Sequence, residues 1–174
     1  MDDGPSPTSV SIAAPGWHSA LSDPAALCAR AVAAALARAL PGGREAEVSI
    51  LLADDATLRK LNRRWRGRDR PTNVLSFPAL DLAPGELPPP GAAHLGDLGL
   101  ALETVLSEAR DEGKAPADHL AHLVVHGTLH LLGHDHGDYA AAEVMEQLER
   151  RILADLGIGD PYRDPAEAEV MEST

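Results

Sequence analysis

The stretch HLAHLVVHGTLHLLGHDHGD, residues 119–138, holds six of the eight histidines in a chain of 174 residues. Successive residues of an α-helix are turned by about 100°, so His126 and His130, four apart, project from the same side one turn from each other. Two imidazoles so placed can chelate one ion. His122 shares that side, yet it stands about 12 Å from His130 along the helix, too far for an ion whose bonds to nitrogen are about 2.0–2.1 Å. A third ligand must come from chain that turns back. Gly133 supplies that turn, because glycine enters left-handed backbone without a Cβ penalty. The sequence therefore demands a helix that stops at Gly133, followed by a return bearing His134, Asp135 and His136.

The spacing His126-x3-His130-x2-Gly133-x2-His136 matches the H-x3-H-x2-G-x2-H frame of metzincin zinc sites. His136 is the expected third ligand and His134 the alternative, with Asp135 placed to orient a ligand imidazole. Three imidazoles and an open position suit catalytic Zn²⁺, although other transition metals accept the same donors. His18, His94, His119 and His122 are read as ordinary hydrogen-bonded histidines. A zincin protease carries Glu directly after its first histidine as general base; here that residue is Gly127, which argues against proteolysis.

Charge supplies the second constraint. The net charge of −12 would repel a polyanion, but RKLNRRWRGRDR, residues 59–70, gathers seven of the 15 basic residues beside a single acid, Asp69. Arg66, Arg68 and Arg70 alternate around Gly67 ahead of a predicted strand, and guanidinium forks match phosphate oxygens. Arg66 is the expected phosphate-binding residue. Arg59 and Arg63 are candidates for holding an RNA backbone together with Arg68 and Arg70; a solvated helix face is the competing account of Arg59, Lys60, Arg63 and Arg64. Trp65 is read as core.

Punctuation and periodicity predict the rest. Asp23 and Pro24 open a helix that PGG stops, residues 46–53 form an aliphatic strand, and Asp54 caps a helix with Leu58, Leu61 and Trp65 on one side. Strands are expected over 9–14, 72–78 and 95–102, with an irregular Pro/Gly-rich excursion over 79–94. Three helices close the chain: one ending near Gly113, one over 118–132 and one over about 140–156. The order β-α-β-α-β-β-α-α-α implies one α/β (α+β) domain with helices packed on a small sheet. It is expected over 8–162, between a loose tail, 1–7, and an acidic one, 163–174. Cys28 is read as a small buried apolar residue. No apolar run reaches the roughly 18 residues of a membrane span, and the N-terminus lacks signal-peptide character, so a cytoplasmic location without membrane contact is expected.

Taken together, RGRDRPTNVLSFP, LGDLGLA, HGTLHLLGHDH and GIGDPY occur in the order found in the YbeY family, which this sequence resembles over roughly residues 46–162. The family's pattern is H-G-x-L-H-L-x-G-Y-D-H; His134 replaces its usual Tyr. The resemblance implies a four-stranded mixed sheet and zinc ligation by His126, His130 and His136, with Arg66 as the functionally important arginine. It also implies single-strand-specific, metal-dependent endoribonuclease activity on rRNA, in 16S 3′-end maturation and ribosome quality control. The expected partners are single-stranded rRNA and the small ribosomal subunit or its proteins. In that expectation Zn²⁺ polarises a phosphate oxygen or activates water while Arg66 holds the phosphate. Two rivals are a ribosome assembly factor whose zinc is structural and a metallohydrolase acting on something other than RNA.

Overall fold

The computed structural model describes residues 8–40, 45–66, 73–91, 93–135 and 137–162, with Trp65 and Arg66 described by backbone alone. Arg68, Arg70, His136 and both tails lie outside these residues. Four strands, β1 (Thr8–Ile12), β2 (Ala46–Ala53), β3 (Val74–Pro78) and β4 (Ala93–Ala101), form one sheet in the order β1-β2-β4-β3. β1 and β2 run parallel, as do β2 and β4, while β3 pairs antiparallel to β4 at the edge. This is the mixed four-stranded sheet of an α+β fold.

The described residues form six helices: α1 (Gly16–Ala20), α2 (Pro24–Ala39), α3 (Asp55–Arg66), α4 (Leu102–Asp111), α5 (Pro116–Leu131) and α6 (Tyr139–Asp155). Alternation along the strands decides which face each helix covers. Val74 and Leu98 point toward α5, where they would meet a Cβ at Gly127; Leu75 and Gly99 point the other way, against Leu58 of α3. α2 buries Cys28, Ala31, Val32 and Ala35, a stripe at three- and four-residue spacing, in the main core it shares with α5 and α6.

The caps behave as the residues require. The Asp23 carboxylate accepts from the Ala26 N–H at 3.1 Å, and that of Asp54 from Thr57 at 2.8 Å. Asp138 does the same for Ala141 at 2.7 Å, so α6 starts at Tyr139. α5 begins two residues ahead of expectation because Pro116 takes the first helical position. β4 likewise begins at Ala93, within the stretch expected to be irregular.

α1 is the element that periodicity did not predict. Its five residues are too few to display a helical repeat, and tertiary contact specifies them instead: Trp17 is fully buried and its Nε1–H donates to the Ala53 carbonyl at 2.9 Å.

Candidate metal centre

α5 stops where its glycine permits. Gly133 has φ +97°, its N–H donates to the His130 carbonyl, and the His134 N–H donates to Leu129, both at 3.0 Å. These are the two bonds of a Schellman turn. A Cβ on Gly133 would stand 2.1 Å from the Leu82 carbonyl oxygen, so the turn is also pressed against the Pro-rich excursion. The chain reverses there and carries His134 and Asp135 back along the end of the helix.

His126 and His130 meet as their spacing requires, with Nε2 atoms 3.0 Å apart and ring centroids separated by 4.6 Å. Two nitrogens bound to one tetrahedral zinc stand about 3.3 Å apart, from bonds of about 2.0 Å. The pair therefore fits a transition-metal ion with little movement. Among the described residues no group of three His, Cys, Asp or Glu side chains gathers to hold a metal, and His136, the expected third ligand, lies outside those residues. His134 is buried, and that burial lowers its pKa and favours the neutral ring. Asp135 is exposed.

The carboxylate that engages His126 is one the histidine motif does not contain. Glu149, on α6 and fully buried, accepts from His126 Nδ1 at 2.5 Å and from His122 Nε2 at 2.9 Å. Tyr162 donates its hydroxyl to the same carboxylate. Burial alone would raise the Glu149 pKa, but its three donors outweigh that and hold it at about 2. Burial and the neighbouring carboxylate together push the Tyr162 phenol well above its ordinary value. One signal for Glu149 was legible: it falls between Met145 and Ile152 on the buried stripe of α6, where a carboxylate requires partners.

His122 thus joins Glu149 rather than the His126–His130 pair. His119, also buried, has its Nε2 2.9 Å from Glu108, which accepts from Asn73 at the start of β3 as well. His18 and His94 are exposed, away from the pair.

Three adjoining hollows run along α5. One of about 280 Å³ reaches from Asn73 and Tyr162 to His126, one of about 260 Å³ lies between β3 and the His126–His130 pair, and one of about 560 Å³ continues from His130 to His134 and Asp135. The imidazole pair sits midway along an elongated groove. Arg59 and Arg63 are exposed on α3, and Arg66 ends that helix seven residues before Asn73 enters the groove wall.

Fold and site define a small α+β protein with a histidine-lined groove in which two imidazoles converge. The chain belongs to the YbeY family: the model for Endoribonuclease YbeY matches residues 18–157. Endoribonuclease YbeY of Azorhizobium caulinodans is 59% identical over 155 residues, covering 87% of this chain and 93% of its own. That of Paramagnetospirillum magneticum is 54% identical over 154 residues, covering 88% and 93%. The solution structure of TM1509 from Thermotoga maritima shares the fold, with a TM-score of 0.51 at 20% identity, covering 90% of this chain and 99% of that one.

Proposed function

We propose that this chain is a zinc-dependent endoribonuclease that cleaves single-stranded rRNA in the cytoplasm, in 16S 3′-end maturation and ribosome quality control on the small subunit. Membership of a family whose members carry the name endoribonuclease supports the reaction class. The observation that carries the metal is the convergence of His126 Nε2 and His130 Nε2 to 3.0 Å. His126 and His130 hold the ion with His136, and His134 or Asp135 stands ready beside it. When bound, zinc supplies Lewis-acid polarisation of a phosphate oxygen and lowers the pKa of water.

The remaining work falls to the chain. Arg66 binds the scissile phosphate and stabilises charge as it develops, a role that its permanent charge and five donors suit. Arg59, Arg63, Arg68 and Arg70 extend the cationic track for the backbone, in an otherwise acidic protein. An elongated groove with the imidazoles at its middle suits a strand that enters at one end and leaves at the other. A protease reading is disfavoured by Gly127, which has no carboxylate to serve as general base and whose missing side chain faces Leu98 and Val74.

The test combines metal analysis with cleavage of matched single- and double-stranded RNA. Wild type should contain zinc and cut only the single strand. His130→Ala should lose both metal and cleavage, and Arg66→Glu should keep the metal and lose cleavage. Full cleavage by His130→Ala would remove the metal from the reaction; full cleavage by Arg66→Glu would remove the arginine.

A further inference from the structure

A metal-ligating imidazole must present one nitrogen unprotonated, and which nitrogen that is depends on what the other one donates to. His126 Nδ1 lies 2.5 Å from Glu149, while its Nε2 faces His130 Nε2. A carboxylate accepts and does not donate, so the proton sits on Nδ1 and the lone pair on Nε2. Glu149 lies behind the ring, on the side away from the other imidazole, and acts on His126 rather than on the ion.

The carboxylate is itself held from two further directions. His122 Nε2 lies 2.9 Å from Oε2, and the Tyr162 hydroxyl donates to the same oxygen, leaving Oε1 to His126. Tyr162 is fixed in turn: its N–H donates to Asp160 at 2.8 Å, its ring packs edge-on against His122 at 5.9 Å, and the Arg150 guanidinium lies 5.3 Å from its centroid. Arg150 also pairs with Asp160 at 3.2 Å. The segment GIGDPY beyond α6 thereby reaches back to the buried carboxylate and closes a chain of contacts, Asp160 to Tyr162 to Glu149 to His126.

We propose that Glu149, braced by Tyr162 and His122, is the positioning residue of His126: it sets the tautomer and ring orientation that aim Nε2 at the metal. This rests on the reading of His126 as a metal ligand. Glu149 and Tyr162 then control metal affinity without touching the ion, and the GIGDPY segment serves the metal centre.

The experiment measures zinc affinity of the full chain by competition with a chromophoric chelator, and reads the His126 tautomer in metal-free protein from long-range ¹H–¹⁵N NMR correlations. In wild type His126 should carry its proton on Nδ1. Glu149→Gln should weaken zinc binding by about 10- to 100-fold, the size of effect that loss of an outer partner produces, and erode the tautomer preference. It should also shift the visible spectrum of the cobalt-substituted protein. Tyr162→Phe, which keeps the carboxylate and removes a single hydroxyl, covers the case in which the buried substitution unfolds the chain. It should weaken zinc by about three- to tenfold, the worth of one hydrogen bond. A wild type that takes up no zinc overturns the metal reading and this one with it. Wild type that binds zinc, with Glu149→Gln or Tyr162→Phe folded and binding it equally tightly, overturns the positioning role alone.

Discussion

A Cβ on Gly127 would stand 2.8 Å from Leu98 Cδ2 and 3.3 Å from Val74 Cγ2. α5 therefore lies directly on β3 and β4 between the turns that carry His126 and His130, and a side chain at 127 would require the ends of Leu98 and Val74 to give way. Overpacking costs about 1–3 kcal/mol, and replacing helical glycine returns about 1 kcal/mol. Gly127→Ala is expected to lose up to about 2 kcal/mol in urea unfolding. Gly127→Glu, which adds a buried carboxylate, should fail to fold stably, and equal stability would show that α5 can move off the sheet.

Metal uptake should be visible as stability. A ligand that binds only the folded chain adds about 2.7 kcal/mol at 100 times its Kd. Zinc should raise the thermal midpoint of wild type, a chelator should reverse the rise, and His130→Ala should show none. Equal zinc-induced shifts in wild type and His130→Ala would place the ion elsewhere.

Cys28 tests the core beneath α2. The thiol is fully buried and burial pushes its pKa up to about 12 from 9.0, so it stays protonated and shielded in the folded state. Alkylation at pH 8.5 should be slow natively and fast in urea. A folded pKa raised above the unfolded one favours folding below about pH 9, and that contribution is lost as pH rises toward 12. Rapid native labelling would mean that α2 opens locally.

Trp17→Phe probes the short helix. It removes the Nε1 donor from the Ala53 carbonyl at the end of β2, and an orphaned buried carbonyl costs about 1–3 kcal/mol. A drop of that size in chemical denaturation is expected; no change would mean that water replaces the indole.

Most of this molecule was legible residue by residue wherever the cause is local. Asp23, Asp54 and Gly133 act on backbone groups within five positions, so the helices they cap or stop could be read directly. The four-residue interval between His126 and His130 carried the imidazole pair for the same reason, because helical geometry converts that spacing into proximity without help from the rest of the chain. α1 escaped because its five residues owe their form to a bond between Trp17 and a strand 36 residues away.

The order of residues by itself determined the two facing imidazoles, the turn after them and the cationic run that ends α3, since each depends on dihedral preferences and charges of neighbours in sequence. Tertiary structure alone decided which carboxylate stands behind His126. Asp135 is close in sequence, but Glu149 is the residue that α6 delivers, 23 positions later, because packing the stripe of Met145 and Ile152 against the core carries the acid inward to the ring. Such a meeting is set by how two helices pack, which no short stretch of either helix encodes.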